Sequence, residues 1–167
     1  MKIWVLKLKQ KFDNEEEAYE SCVADGYIKP VSAVNKERIR LLMKNSGISA
    51  DSADTLAKSL KQGDEKWMTV YILHYDVLRI SAEAFLLFDK ISSSNHLCLF
   101  SVLCVKHPEL EFDWNFLEKI RTKRNGVNYY GEQVSYDEWK VVELQFNLYI
   151  SALKKEIDKR VEYIPED

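Results

Sequence analysis

Residues 119–131, which read KIRTKRNGVNYYG, are the first indication of the fold and of a site. If this segment is helical, its polar side chains recur at helical spacing along one face, made up of Arg121, Arg124, Asn125, Asn128 and Tyr129. A separate apolar stripe of Phe116, Ile120 and Val127 can then face a core. Gly131 is a natural helix terminator. The segment therefore predicts an amphipathic helix that packs by one stripe and presents the other.

The polar stripe has the chemistry that a phosphate requires. An arginine offers a planar fork of donors to an anion, and asparagine and tyrosine add neutral hydrogen bonds. We predict a ligand-binding set in and beside this stripe, consisting of Arg121, Arg124, Asn125, Asn128, Tyr129 and Tyr130. The alternative is an exposed helix end without a ligand, because the helix dipole favours arginine near a C-terminus.

The composition indicates a single helical domain. The chain has 167 residues, of which 46% are hydrophobic and 31% charged, and this balance excludes a disordered chain. Five glycines and three prolines are too few for a β-sandwich or barrel with many tight turns. The net charge of −3 gives no general attraction to nucleic acid, so such a site would be a local patch. Residues 119–124, with four basic side chains in six, are the best candidate.

The cysteines predict a cytoplasmic protein with reduced thiols. Cys22, Cys98 and Cys104 are odd in number and form no CxxC pair, and the last two lie among apolar residues. Buried reduced thiols are therefore expected, rather than disulfides or a zinc site. No secretory signal and no membrane-spanning apolar run is recognised, and we expect no membrane partner.

The histidines predict no metal site. His74, His96 and His107 have no metal-ligand spacing between any two of them, and we expect neither a metal nor a cofactor. His74 lies on an apolar helical stripe, which indicates a hydrogen-bonded core histidine. His96 and His107 flank a short apolar helix.

Apolar periodicity and capping residues predict the order of the helices. We expect a short helix that begins at an Asp13–Glu16 capping box, and a final helix that begins at a Ser135–Glu138 capping box. Residues 2–9 alternate and suit a short strand or an arm. The remaining helices are predicted at residues 35–60, 64–91, 96–106 and 113–131, and the final helix is expected to end near residue 160. Residues 35–60 are expected to form two short helices or one helix broken at 45–47. The helix at residues 64–91 is expected to be the longest, and to be central because it is apolar on two sides.

Motif and helix order together resemble a known family. A long apolar helix is followed by a Ser-Asn-His turn at residues 94–96 and a short apolar helix. The next helix ends in R-N-x-x-x-Y-x-G (Arg124, Asn125, Tyr129 and Gly131), and a last long helix follows. Over residues 35–160 this order resembles the HEPN superfamily, the helical "higher eukaryotes and prokaryotes nucleotide-binding" domain.

The resemblance implies an all-α fold, an up-and-down bundle of four to five helices over residues 31–167. Residues 1–30 would form an N-terminal extension with a strand and a short helix. The resemblance also implies a homodimer whose motif helices face each other across a cleft. Many family members are metal-independent ribonucleases, some are toxins neutralised by a nucleotidyltransferase, and others are binding modules without catalysis.

The chain departs from the ribonuclease motif at its histidine. The family has histidine a few residues after the arginine, whereas positions 129, 130 and 131 hold Tyr, Tyr and Gly. Tyrosine, with a pKa of about 10, is a poor base at neutral pH. We therefore predict a homodimer that binds a nucleotide or RNA phosphate in the inter-subunit cleft without cleaving it. Arg124 would pair with phosphate, Asn125 would hold the arginine or the sugar, and Tyr129 would hydrogen-bond or stack.

Two alternatives remain open. The first is a metal-independent ribonuclease of a toxin–antitoxin system with a nucleotidyltransferase partner, in which Arg124, Asn125 and Tyr129 act in catalysis. His96 or His107 could then replace the missing histidine in space. The second is a purely structural role, in which the arginine and tyrosine side chains bridge two subunits.

Overall fold

Six α-helices make up most of residues 12–163, which are the residues that the computed structural model describes. This confirms the prediction of an all-α helical bundle. The helices are α1 (Glu15–Ala24), α2 (Lys36–Ser59), α3 (Trp67–Leu86), α4 (His96–Lys106), α5 (Trp114–Tyr130) and α6 (Tyr136–Tyr163). Two short strands, β1 (Lys29–Pro30) and β2 (Ile91–Ser92), pair antiparallel. The strand predicted at residues 2–9 lies outside the described residues.

Helix α3 is central, as predicted from its two apolar faces. It packs against α2, α4, α5 and α6, and its side chains are buried along most of its length. The prediction that it is the longest helix was wrong, because α2 and α6 are both longer. The expected start at Asp64 was also wrong. The Asp64 carboxylate accepts from the Lys61 backbone N–H at 2.7 Å, which makes residues 61–64 a turn, and the helix begins only at Trp67. The helix ends in a 3₁₀ turn, and Lys90 follows with a φ of 58°.

Helix α2 is continuous, so the predicted break at residues 45–47 was wrong. Ser46 is buried against α3, where its hydroxyl lies 3.1 Å from the Ser81 hydroxyl and 3.5 Å from the Val77 carbonyl oxygen. Packing against a neighbouring helix therefore satisfies a polar side chain that could otherwise favour a turn. Tertiary contact here overrides the low helix propensity of Asn, Ser and Gly.

Helix α1 packs on α4 and is fastened to it covalently. Its N-cap is Asn14, which accepts from the Glu17 N–H at 2.8 Å, rather than the predicted Asp13. Ala18 and Cys22 are buried in the same hydrophobic core as the rest of the bundle. The division of the chain into residues 1–30 and 31–167 stays a prediction.

Cys22 and Cys98 form a disulfide, so the prediction that all three cysteines are reduced was wrong. The packing of α1 on α4 brings their Cα atoms within 5.6 Å, although 76 positions separate them in sequence. Cys104 is a buried free thiol, as predicted, and burial raises its pKa to about 12. Disulfides are typical of oxidising compartments, so the expectation of a cytoplasmic location loses the support of the thiols.

Helices α5 and α6 follow the sequence closely. Gly131 ends α5 with a φ of 68°, as its predicted role requires. The predicted capping box is confirmed: the Glu138 N–H donates to the Ser135 hydroxyl at 3.2 Å, and the Ser135 N–H donates to the Glu138 carboxylate at 2.8 Å. Helix α6 runs to Tyr163, slightly beyond the expected end. None of the helices within residues 12–163 combines the length and apolar character needed to cross a membrane.

Candidate functional site

Arg124 is held in place by neutral groups. Its Nη1 donates to the Asn125 Oδ1 at 3.4 Å, and its guanidinium carbon lies 5.6 Å from the centre of the Tyr75 ring. When the Asn128 amide is oriented so that its oxygen faces the guanidinium, it accepts from Nε and Nη2, both at 3.2 Å. No acidic side chain within residues 12–163 forms an ion pair with Arg124. A partly buried cation is therefore fixed in position without a counter-charge.

Arg121, one turn earlier on α5, is neutralised instead. Its Nε and Nη2 donate to the two carboxylate oxygens of Glu118 at 2.6 and 2.9 Å, and Glu118 is buried. A buried bidentate pair of this kind holds both side chains. Arg121 therefore lies on the predicted helix face, but its guanidinium is already paired with Glu118.

The two predicted tyrosines lie outside the cluster. Tyr129 and Tyr130 are 71% and 64% exposed at the C-terminal end of α5. The structure therefore brings Arg124, Asn125 and Asn128 together and leaves the tyrosines facing solvent. Large exposed aromatic side chains remain available to a partner or a base.

His96, on the first turn of α4, shares the contact residue Tyr75 with Arg124. The side chain of Asn95 caps α4 by accepting from the backbone N–H groups of residues 97 and 98. This cap fixes the start of the helix at His96. The His96 Nδ1 is 3.0 Å from the Tyr75 hydroxyl, and the same Tyr75 ring lies beneath Arg124. Tyr75 thus links α4 to α5 across α3.

The imidazole of His96 is neutral at physiological pH. Burial, together with the positive charges of Arg79, Arg124 and Arg121, lowers the pKa of His96 to about 4. Burial also raises the pKa of Tyr75 well above its ordinary value, so its hydroxyl keeps its proton. When that hydroxyl donates to Nδ1, Nε2 carries hydrogen and is a donor to an anion.

A polar cavity of about 320 Å³ adjoins His96. Its charged wall is compensated: Arg38 pairs with Glu83 at 2.8 Å, and Arg79 pairs with Glu83 at 3.5 Å. The lining residues are Arg38, Arg79, Glu83, Ser92, Ser93, Ser94, His96 and Leu99. The cavity thus offers hydroxyls and paired charges beside His96, which Tyr75 connects to Arg124.

His107 is not part of this site. It lies at the other end of α4, about 16 Å from His96 along the helix. Its Nε2 is 2.5 Å from the Asp89 carboxylate and its Nδ1 is 2.8 Å from the Glu109 carboxylate. Arg160 pairs with the other oxygen of Asp89 at 3.1 Å and covers the Phe85 ring. These contacts give His107 a structural role.

His74 is the hydrogen-bonded core histidine that was predicted. Its Nδ1 lies 2.9 Å from the Val70 carbonyl oxygen, and its ring centre is 4.5 Å from that of Trp139. Burial lowers its pKa. In the described part of the chain, no three His, Cys, Asp or Glu side chains are grouped as metal ligands would be.

Sequence reasoning missed Tyr75, Arg79 and the cavity. Tyr75 lies in an apolar helix, and the only signal in its favour is that a buried tyrosine hydroxyl needs a hydrogen-bond partner. Comparison of the chain with protein-family models, with curated proteins and with solved structures finds no match. The site is therefore interpreted from its own chemistry.

Proposed function

We propose that this chain binds a nucleotide or an RNA phosphate at Arg124 and does not cleave it. The supporting observation is the partly buried guanidinium of Arg124. Neutral groups hold it, and it forms no ion pair with an acid among residues 12–163. Removing a cation from water without a partner is costly, and an anionic ligand would offset that cost. The free edge of the guanidinium, with Asn125 beside it, suits a phosphate oxygen.

The cavity beside His96 favours a nucleotide over a bare phosphate. Its volume of about 320 Å³ lies at the lower end of the range for small-molecule sites. The hydroxyls of Ser92 and Ser94 and the Nε2 of His96 can hydrogen-bond a sugar or a base, whereas the Ser93 hydroxyl already bonds the Asn95 backbone. The phosphate would then lie at Arg124 and the nucleoside in the cavity.

The protonation states argue for binding rather than cleavage. Metal-independent RNA cleavage needs a base for the 2′-hydroxyl and an acid for the leaving oxygen, each with a pKa near the working pH. With a pKa of about 4, His96 is neutral at pH 7 and has no proton to give as an imidazolium. The raised pKa of Tyr75 makes its hydroxyl a poor acid and leaves almost no phenolate to act as a base.

A metal-independent endoribonuclease is the second candidate, because Tyr75 contacts both His96 and Arg124. A bound phosphate would add negative charge and raise the pKa of His96 towards neutrality. The catalytic set would then be Arg124, Asn125 and His96, and Tyr129 would remain at the exposed helix end. A nucleotidyltransferase partner belongs to this second candidate.

The resemblance also leads us to include a homodimer in the proposal, with the site in a cleft between subunits. The exposed Tyr129 and Tyr130 would then be available to the second copy or to a base in the cleft. Light scattering on the full chain measures whether it self-associates, independently of ligand binding.

Fluorescence anisotropy with a labelled short RNA tests the binding proposal. The wild type should bind with an affinity that falls as salt rises, and Arg124→Ala should lose most of that binding. Lys119→Ala is the matched control, since it removes one exposed positive charge from the same helix and should bind nearly as the wild type does. Equal binding by wild type and Arg124→Ala would refute the proposed site.

Incubation of the wild type with an RNA pool in EDTA decides between the two candidates. Intact RNA supports the binding function. Cleavage by the wild type that is lost in both Arg124→Ala and His96→Ala would establish the ribonuclease and refute binding without catalysis.

A further inference from the structure

Helix α6 carries a second apolar stripe that no described part of the chain covers. Val141, Leu144 and Leu148 are 72%, 70% and 57% exposed. Their spacing of three and four residues places them on one line along the helix. The core stripe of the same helix lies on another face and consists of Trp139, Val142, Phe146, Tyr149, Leu153 and Ile157, all buried. Such an aligned apolar patch is typical of an interaction surface.

Two opposite charges end this stripe. Asp137 lies seven residues before Leu144, and Lys155 lies seven residues after Leu148, so both fall on the same line. Their separation of 18 positions makes five helical turns, about 27 Å. Both side chains are exposed, and neither forms an ion pair within residues 12–163. The stripe therefore runs from an unpaired acid, over three apolar side chains, to an unpaired base.

We propose that a second copy of this chain docks on the stripe, with the two α6 helices antiparallel about a two-fold axis level with Phe146. In that register Leu144 of each copy meets Leu148 of the partner subunit. Asp137 of each copy meets Lys155 of the partner subunit, which gives two reciprocal charge pairs. A parallel pairing would set like charges opposite each other, and the antiparallel one alone joins opposite charges.

The occupant is a second copy because the stripe is complementary to itself. One half of the stripe carries the acid and the other half carries the base, and both have an apolar surface. A 180° rotation of a second copy about the two-fold axis places the acidic half of one copy opposite the basic half of the other. A contact along one helix is small for a protein interface, so the association is concentration-dependent, with a Kd on the order of 10–100 µM. The α6 contact uses none of the residues of the proposed phosphate site, and it is distinct from the contact between motif helices that the proposed function includes.

Sedimentation equilibrium on the full chain tests the docking. The wild type should self-associate through α6, and Leu144→Asp should lose this association step at the same concentrations, whether or not the α5 helices also pair. Asp137→Lys and Lys155→Asp should each weaken the dimer about tenfold, because two attractive contacts become two repulsive ones. Lys154→Asp is the matched control: it makes the same charge change on the next residue, about 100° around the helix, and should dimerise as the wild type does.

Mixing the two charge variants separates the register from any loss of helix stability. Asp137 lies in the first turn of α6, where an acid also favours the helix N-terminus, so its reversal alone could act on folding. In a mixed dimer of Asp137→Lys and Lys155→Asp, both charge pairs are again opposite, and the affinity should return towards that of the wild type. A wild type that stays monomeric to about 1 mM, or a mixture no stronger than its components, would overturn the inference. So would a monomer that uses Leu144 to bind a different protein.

Discussion

Reduction of the Cys22–Cys98 disulfide should lower the free energy of unfolding by about 4.5 kcal/mol. The bond closes a loop of 76 residues, and the chain-entropy relation for a loop of that size gives this value at 25 °C. Both sulfurs are buried between α1 and α4, so the reduced thiols keep their packing and the loss comes mainly from the freed unfolded chain. For a domain of this length the melting temperature should fall by roughly 10–15 °C.

Thermal and urea unfolding with and without reductant measures this loss. The Cys22→Ala/Cys98→Ala variant should be less stable than the oxidised wild type and should not respond to reductant. Cys104→Ala is the matched control and should respond as the wild type does. With a pKa of about 12, the Cys104 thiol does not exchange with the disulfide at pH 8. A wild type whose midpoint is unchanged after complete reduction, verified by thiol titration, would refute the reasoning.

Three further predictions concern the packing and the titration of single side chains. Gly126→Ala should raise the free energy of unfolding by about 0.5–1 kcal/mol in urea titrations, because alanine has the higher helix propensity. Its Cβ displaces only the flexible end of the Glu132 side chain. A loss of stability would contradict this prediction. His107→Ala should lower the free energy of unfolding by about 2–3 kcal/mol, because Asp89 keeps Arg160 but loses its hydrogen bond to the imidazole. A loss under about 0.5 kcal/mol would show the contact to be unimportant. NMR titration should give His96 a pKa of about 4, against about 6.5 when unfolded. The unfolded chain then binds the proton first, so stability should fall as pH falls from about 6.5 to 4, and an ordinary pKa would contradict the burial of this ring.

Local signals in the sequence were sufficient for the end of α5 and the start of α6. Gly131 ends α5, and Ser135 with Glu138 starts α6, because capping depends on residues three or four positions apart. The same local logic failed at Ser46, where burial against Ser81 of another helix keeps α2 continuous. Local propensity is weak, and contacts between helices decide such cases.

Contacts across the fold were beyond sequence reasoning. The Cys22–Cys98 bond joins positions that only the packing of α1 on α4 brings together. The site has the same character: the motif supplied Arg124 and its two asparagines, whereas Tyr75 and His96 come from α3 and α4. The helical spacing of the motif predicted the residues that α5 contributes to the site. The residues that α3 and α4 contribute follow from how the three helices pack, which the sequence does not show.

Calorimetric titration of ADP into the full chain is the most direct test of the central claim, that Arg124 holds a phosphate. The wild type is predicted to bind, Lys119→Ala to bind nearly as well, and Arg124→Ala to lose at least about tenfold in affinity, the cost of one charge-assisted contact. Retained affinity in Arg124→Ala, or equal losses in Arg124→Ala and Lys119→Ala, would contradict the claim.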